Sequence, residues 1–314
     1  MALIGFIIII KIVIFRVIPF IDQYLLMEET DLARRYTKGS WVMITGASSG
    51  MGEQFAYEFA KRGFNLLLLG SEKTKRVIKR IKTEGMSVEV DFIQIDFSKS
   101  FEESFFNEIQ EKTDKLGNKW RILINNVGYR TACSDYRKMD ISEMKKTIAV
   151  GTLVQSKLIQ MAIQSFSKHI RQTAIVNITA QNSVCTDLFA IQNDISVPYL
   201  SCYEAANAYG YFHAKSIYEE IKRKYNNIDY LTITPGAVIT KNTEKVLKDT
   251  IFAVDVKTFV HGIMKLIGNK NGVYCAHWGH SFCGALLNIF PFIDRESITN
   301  KVGMDFAKIK YNVI

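Results

Sequence analysis

The sequence predicts a doubly wound α/β fold, in which one parallel β-sheet carries helices on both faces. Short aliphatic runs alternate with helical stretches along the chain, and no internal repeat, low-complexity tract or linker separates them. The first run, at 42–44, leads through a glycine-rich turn into an amphipathic helix pattern over 53–62. A dinucleotide-binding site requires this succession of strand, turn and helix. We therefore expect one large α/β domain.

The glycine-rich turn predicts a nucleotide site. Gly46, Gly50 and Gly52 let the backbone turn tightly and approach a pyrophosphate. The first N–H groups of the following helix, together with the helix dipole, then hold the negative charge. Ser48 and Ser49 add hydroxyl groups to the same turn. All five residues are predicted to bind a nucleotide cofactor.

Polar residues follow the later predicted strands. Asp96 comes after the strand predicted at 88–95, and Asn125 and Asn126 end the strand predicted at 121–124. Further strands are predicted at 65–69, 174–178 and 229–234, the last of which leads into a Pro-Gly loop at 235–240. Because the carboxyl ends of parallel strands meet at one edge of the sheet, these residues are expected to line one cleft.

Composition and charge argue against some classes of function. The chain has 314 residues, 48% hydrophobic content and a formal net charge of +9. Its basic residues are dispersed among acidic ones, which argues against nucleic acid and favours a membrane surface or anionic small molecules as partners. The five cysteines form no C-x-x-C pair and fit reduced thiols facing the cytosol. His277 and His280 have metal-like spacing, but no carboxylate or cysteine cluster completes a metal site.

The apolar residues 2–21 predict a membrane-anchor helix within 1–25. A helix of about 20 residues spans about 30 Å, enough for one bilayer crossing or for lying in the interface. Lys11 and Arg16 each cost roughly 2.5–3.5 kcal/mol near the bilayer centre, but many isoleucines offset that cost and Arg16 can snorkel. A cleavable signal peptide is disfavoured, since the segment has no basic n-region and no small-residue cleavage site follows. A buried soluble segment is the alternative.

A second apolar run, at 282–293, lies in a C-terminal apolar extension over 281–314. The run is too short to span a bilayer. It is expected to contact the membrane interface, to form one wall of an acyl tunnel, or to pack in the core.

Three motifs together resemble the short-chain dehydrogenase/reductase family over residues 38–280. They are the glycine turn that begins at Thr45, the run Asn125-Asn126-Val127-Gly128, and the loop Pro235-Gly236-Ala237-Val238-Ile239-Thr240. The resemblance is nearest to the membrane-bound branch of 17β-hydroxysteroid dehydrogenases and very-long-chain 3-oxoacyl-CoA reductases. It implies a Rossmann-type sheet, with Asp96 beside the adenine and with Val238 and Thr240 beside the nicotinamide carboxamide.

The resemblance also implies a proton donor. Family members use a tyrosine that donates a proton to the carbonyl and a lysine, four residues later, that holds the ribose and lowers the tyrosine pKa. The matching positions are Tyr203, which keeps the tyrosine, and Asn207, which replaces the lysine. An amide can still hydrogen-bond a ribose hydroxyl but brings no charge. The run from Tyr211 to Lys215 matches the same pattern literally, yet it lies about 12 Å further along the helix; Lys215 is interpreted as a solvated helix charge.

The other two catalytic positions of the family also differ. The catalytic serine matches Ala180, so Thr179 or, after a local shift, Ser183 is predicted to supply a hydroxyl. The family's asparagine on the preceding helix matches Gly151, so that position carries no amide.

Cofactor choice follows from the residues after the strand at 65–69. Ser71 stands where an arginine often pairs with the 2′-phosphate of NADP, while Lys73 or Lys75 could reach that phosphate. No acidic residue directly ends the strand to hold a ribose diol. NADP(H) is therefore preferred, with NAD(H) as the alternative.

Two functions from different classes remain open on these grounds. The resemblance implies an NADP(H)-dependent oxidoreductase acting on a 3-oxoacyl-CoA or a steroid at the endoplasmic reticulum membrane, with its catalytic domain facing the cytosol. The departures at the catalytic positions support the alternative, a cofactor-binding pseudoenzyme that acts as a structural or regulatory partner in lipid metabolism, while the complete nucleotide framework favours the oxidoreductase. A homodimer or partners in a fatty-acid elongation complex are the expected associations.

Overall fold

The computed structural model describes residues 6, 10–11, 13–129, 135–180, 198–241, 243–244 and 253–282. Seven strands form one parallel sheet in the order β3-β2-β1-β4-β5-β6-β9. Its strands are β1 (Trp41–Thr45), β2 (Asn65–Gly70), β3 (Val90–Gln94), β4 (Trp120–Asn125), β5 (Thr173–Ile178), β6 (Ile228–Ile233) and β9 (Gly272–Tyr274). Two short strands, β7 (Val238–Ile239) and β8 (Val254–Asp255), pair separately. This arrangement confirms the predicted Rossmann-type parallel fold.

The connecting helices lie against both faces of the sheet. They are α1 (Leu32–Tyr36), α2 (Gly50–Lys61), α3 (Thr74–Thr83), α4 (Asn107–Leu116), α5 (Ile141–Ile148), α6 (Gln155–Phe166), α7 (Ser201–Lys224) and α8 (Val256–Leu266). A π-helical turn over Ala149–Val154 joins α5 to α6. Three helices begin at an aspartate whose side chain accepts a backbone N–H of the first turn, at Asp31, Asp140 and Asp255.

Alternation along each strand builds two hydrophobic cores. On β1, Val42 and Ile44 enter the cluster that contains Phe55 of α2. Trp41 and Met43, on the opposite face, enter the second cluster. Because both faces are covered, every residue of β1 is buried, which explains why its sequence is continuously apolar up to Thr45.

The strand order reverses between β1 and β4, with β2 and β3 on one side and β5 and β6 on the other. Ligands of open α/β sheets bind at the carboxyl ends of the strands at such a reversal. The glycine turn after β1 and the asparagine run after β4 therefore meet at the predicted site.

The N-terminal segment, residues 13–26, is helical and lies against the end of the described chain. It consists of π turns at Val13–Val17 and Asp22–Leu26 around a short α-helical piece, Ile18–Ile21. The Tyr24 hydroxyl and the Gln23 amide both donate to the Cys275 carbonyl, at 2.8 and 2.7 Å. Within the described residues, no helix combines the length and the apolar character that a membrane crossing needs. The anchor over 1–25 therefore stays a prediction, as does the extension over 281–314, of which only 281 and 282 are described.

Candidate active site

The turn between β1 and α2 has the geometry of an anion cradle. Gly46 and Gly50 have φ values of +67° and +59°, which side-chain-bearing residues rarely adopt. Ser49 is the N-cap of α2 in an extended conformation, and its side chain makes no capping hydrogen bond. The first N–H groups of α2 are thereby left for another acceptor. Among the described residues, a Cβ on Gly50 would have one neighbour within 4 Å, the Thr240 methyl at 3.8 Å, so the space above the turn is open.

Gly52 has a packing role in addition to the predicted one. A Cβ at this position would lie 2.2 Å from the Gly46 carbonyl oxygen. Gly52 is buried and lets the first turn of α2 pack directly on the preceding backbone. Gly46, Ser48, Ser49 and Gly50 line the turn itself, and the predicted contact of Gly52 with the pyrophosphate stays a prediction.

Thr45 joins the two halves of the site, a role that the sequence analysis missed. Its hydroxyl oxygen accepts the backbone N–H groups of Asn126 and Val127, each at 2.9 Å. The Asn126 side-chain amide donates to the Thr45 carbonyl at 2.9 Å. These bonds fix the carboxyl end of β4 beside the glycine turn. The Asn126 side-chain oxygen is buried without a hydrogen-bond partner among the described residues, which leaves an acceptor for a ligand.

Asn125 lies inside the fold, although it was predicted to bind the cofactor. Its side chain is fully buried and donates to the Gln155 carbonyl at 3.1 Å. Strand alternation is the reason: Asn125 is still within β4 and points away from the turn that Asn126 begins. Its role is to tie β4 to α6.

The loop after β6 faces the glycine turn from across the cleft. The Thr243 hydroxyl donates to the Val238 carbonyl at 2.7 Å and accepts the Thr240 N–H at 2.8 Å. These bonds hold the loop in a compact turn, in which the Thr240 methyl approaches Gly50. Val238 is buried within the same turn. The geometry brings Thr240 to the predicted cleft.

A third wall of the cleft is formed by the end of β5. Thr179 is buried, and its hydroxyl donates to the Ile233 carbonyl at 3.2 Å. Its proton is therefore engaged with β6, so the predicted catalytic hydroxyl can accept but not donate in this geometry. Ala180 is also buried, and Ser183 lies outside the described residues.

Tyr203 and Asn207 lie one turn apart near the start of α7. Both side chains are partly buried. The Asn207 amide donates back along the helix to the Tyr203 carbonyl at 2.8 Å. This bond fixes one amide hydrogen on the helix, which leaves the second hydrogen and the side-chain oxygen for a ribose.

The alternative tyrosine–lysine pair is differently placed. Tyr211 is 4% exposed, whereas Lys215 is exposed and carries its ammonium 5.9 Å from the Tyr211 ring centroid. Lys215 thus covers the outer side of a buried ring, in agreement with its interpretation as a solvated helix charge.

Helices pack closely where the family's asparagine is replaced. A Cβ on Gly151 would lie 2.8 Å from the Ala206 Cβ, so a larger residue would push α7 away. One turn further on, Gln155 is 5% exposed and donates to the Val127 carbonyl at 3.4 Å. Its side-chain oxygen is buried without a partner among the described residues. A buried amide therefore lies beside the cleft at a position that the sequence analysis did not identify.

A basic residue lies beside the glycine turn, but it is neither of the two lysines that were predicted to reach a phosphate. The Arg76 guanidinium of α3 donates to the Ser48 carbonyl at 3.4 Å and to Glu53 at 2.8 Å. Lys75 instead pairs with Glu72 in solvent. Near the same turn, the buried Thr74 hydroxyl has no partner among the described residues.

Asp96 lies at the carboxyl edge beyond β3. The strand ends at Gln94, and Asp96 is exposed. Its carboxylate accepts the Ser98 N–H at 3.0 Å and the Ser98 hydroxyl at 2.8 Å. The side chain thus caps a short 3₁₀ turn, and its predicted contact with adenine stays a prediction.

Comparisons with known proteins agree with this geometry. The family model described as short chain dehydrogenase matches residues 40–251. The very-long-chain 3-oxoacyl-CoA reductase of Rattus norvegicus is 29% identical over 255 residues, covering 81% of this chain and 76% of the rat protein. The Homo sapiens protein of the same name is 28% identical over 262 residues, with the same coverage. The hydroxysteroid dehydrogenase-like protein 1 of Gallus gallus is 30% identical over 220 residues, covering 69% of this chain and 60% of that protein.

Solved structures share the fold. A short-chain dehydrogenase from Sphingobium yanoikuyae in complex with NADPH aligns with a TM-score of 0.62 at 21% identity, covering 81% of this chain and 96% of that one. A 3-ketoacyl-(acyl-carrier-protein) reductase from Brucella melitensis complexed with NADH aligns with a TM-score of 0.61 at 19% identity, covering 78% and 99%.

Proposed function

We propose that this chain, which belongs to the short chain dehydrogenase family, reduces the ketone of a long-chain 3-oxoacyl-CoA with NADPH at a membrane. The observation that carries the proposal is the open glycine turn and uncapped α2 N-terminus at the switch point of the sheet. The substrate class is taken from the names of the relatives in rat and human. Those names also favour a reductase over the binding-only alternative.

The residues at the turn fit a dinucleotide. A bound nicotinamide cofactor would supply the hydride. The α2 N-terminus with Gly46 and Gly50 would hold the pyrophosphate, and the Asn126 side-chain oxygen offers an acceptor beside it. Arg76 supports NADPH rather than NADH, because an exposed ion pair such as the one it forms with Glu53 is weak and exchanges readily for a phosphate.

Tyr203 is the proposed proton donor. Asn207 stands where the family carries a lysine, so this position brings no positive charge that would stabilise a tyrosinate. A protonated hydroxyl can give its proton to a ketone oxygen but cannot accept one from an alcohol. The asparagine at 207 therefore favours the reductive direction, at a lower rate than a lysine would allow.

Exposed apolar side chains support action at a membrane. Ile14, Ile18, Leu25 and Leu26 are exposed on the N-terminal segment. Trp278 is exposed on the C-terminal tail, residues 275–281, against which that segment packs. We assign residues 1–25 to a membrane anchor, 38–280 to the catalytic domain and 281–314 to an apolar extension. This assignment fits an endoplasmic reticulum membrane, with the catalytic domain facing the cytosol. It also fits acyl-CoA substrates, and a homodimer or an elongation complex as the protein association.

The test is NADPH oxidation by the purified full-length protein over 3-oxoacyl-CoAs of increasing chain length and over ketosteroids. We expect turnover that rises with acyl length and falls about 10²–10⁴-fold in Tyr203→Phe, the usual contribution of a general acid. NADPH binding without turnover on any substrate would establish the pseudoenzyme instead. Turnover of ketosteroids alone would overturn the substrate class.

A further inference from the structure

A buried histidine of the C-terminal tail forms hydrogen bonds with the loop after β6. His280 is 3% exposed and is in hydrogen-bond contact with the loop. Its Nδ1 atom accepts the Gly236 N–H at 3.3 Å, and its Nε2 atom lies 3.2 Å from the Ala237 carbonyl oxygen. One ring thus bonds two consecutive residues of the loop that carries Val238 and Thr240.

These contacts fix the state of the ring. The Gly236 N–H can only donate, so Nδ1 must be the unprotonated acceptor. Nε2 then carries the proton and donates it to Ala237. The same Ala237 carbonyl also accepts the Val254 N–H at 3.0 Å, which ties the loop to β8. A planar ring bonded through both nitrogens leaves the loop little freedom to rotate.

The ring is itself held from the outside. Phe259 of α8 and His277 pack against it, with ring centroids 5.6 and 5.0 Å away. The next residue, Ser281, shares a 2.6 Å hydrogen bond with the Tyr24 hydroxyl of the N-terminal segment. Tyr24 also donates to the Cys275 carbonyl, so one side chain holds both ends of the tail that carries His280.

We propose that His280 is a positioning residue that sets the loop carrying Val238 and Thr240 against the glycine turn, and that Tyr24 holds His280 in place. The inference builds on the proposed function, with Val238 and Thr240 beside the nicotinamide carboxamide as the family resemblance implies. The N-terminal segment then supports the cofactor site as well as a membrane contact.

The first test measures the loop in cofactor-free protein, where the proposed function plays no part. Hydrogen exchange at residues 238–240 should be at least tenfold faster in His280→Phe than in the unchanged protein, because both loop bonds are lost. His280→Gln retains a donor and an acceptor and should recover most of the protection. Equal exchange in all three proteins would overturn the inference, whatever the enzyme's activity.

The second test measures the cofactor. We expect the NADPH dissociation constant, from fluorescence titration, to rise about tenfold in His280→Phe and about threefold in Tyr24→Phe, with the cofactor KM rising more than kcat falls. His261→Phe replaces an exposed histidine of α8 and should change neither value. A lower unfolding temperature with an unchanged dissociation constant would reduce His280 to a packing residue. No NADPH binding by the unchanged protein would end the proposed function, while the exchange result would stand on its own.

Discussion

At the scale of single residues, Gly52 gives the sharpest steric constraint. A Cβ there would lie 2.2 Å from the Gly46 carbonyl oxygen, closer than any packed contact allows. We predict that Gly52→Ala lowers the free energy of unfolding by about 1–3 kcal/mol and weakens NADPH binding, since the turn must shift. Urea denaturation and fluorescence titration measure the two effects.

Gly128→Ala is the matched control for the loss of stability. A Cβ at Gly128 has no neighbour within 4 Å among the described residues, and its φ is not positive. Its free energy of unfolding should stay within about 0.5 kcal/mol of the unchanged protein. An equal loss in both variants would contradict the packing role of Gly52.

Asn207→Lys tests the missing cation. A lysine ammonium one turn from Tyr203 would favour the phenolate and lower the tyrosine pKa. For alcohol oxidation, in which the phenolate accepts the proton, the rate at neutral pH should rise and its pH profile should move to lower pH. Lys215→Gln is the control, because Lys215 lies outside on the same helix. An unmoved profile in Asn207→Lys would show that Tyr203 is not the proton donor.

The residues of the turn could be located from the sequence, whereas the directions of some side chains near it could not. Gly46 and Asn126 are found where their motifs place them, because glycine and strand-end patterns are local. Asn125 and Thr179 point into the fold, since their directions depend on the register of β4 and β5 with their neighbours. Gln155 follows a π turn, which rotates α6 away from an ideal 3.6-residue period.

At the scale of elements, the succession from β1 to α2 was predictable, because the apolar strand run, the glycine turn and the amphipathic helix pattern follow one another directly in the sequence. The predicted strand at 88–95 shortens to Val90–Gln94, and the helix predicted from 53 begins at Gly50. Helix α1 was not anticipated. Its five residues have too short an apolar pattern to detect, and its position depends on a contact with distant β6.

That contact predicts a pH dependence of stability. The Tyr36 hydroxyl of α1 donates to Asp229 of β6 at 2.7 Å, and Arg35 binds the same carboxylate through two nitrogens. Burial, followed by the charge of Asp229, raises the pKa of Tyr36 well above its ordinary value. A raised folded pKa means that stability is complete below the unfolded value of about 10 and is lost as pH rises above it.

We therefore expect Tyr36→Phe to cost about 1.5–3 kcal/mol of unfolding free energy at pH 7, the usual value of a hydrogen bond to a charged group. The difference from the unchanged protein should be constant between pH 7 and 8 and should narrow above pH 10. Denaturant titrations across this range measure it. If the difference in unfolding free energy between the two proteins widened at high pH, the hydrogen bond from Tyr36 to Asp229 would not be the source of this stability.

At the scale of the whole molecule, the N-terminal segment has two separable parts. Asp22, Gln23 and Tyr24 bind the domain, the first through an ion pair with Lys270, whereas the apolar side chains before them are largely exposed. Deleting residues 2–21 should therefore release much of the protein from membranes while leaving the domain folded. Flotation with phospholipid vesicles and thermal unfolding measure the two outcomes. A full-length protein that stays free of vesicles at low salt would refute the anchor.

Hydride transfer from NADPH to a 3-oxoacyl-CoA is the activity that we propose for this chain. The direct measurement uses NADPH carrying deuterium at the transferable position of the nicotinamide, a long-chain 3-oxoacyl-CoA and mass spectrometry of the product. We expect a 3-hydroxyacyl-CoA one mass unit heavier than the product made with ordinary NADPH, formed by the unchanged protein and strongly reduced in Tyr203→Phe. Tight NADPH binding with no labelled product at any acyl length would contradict it.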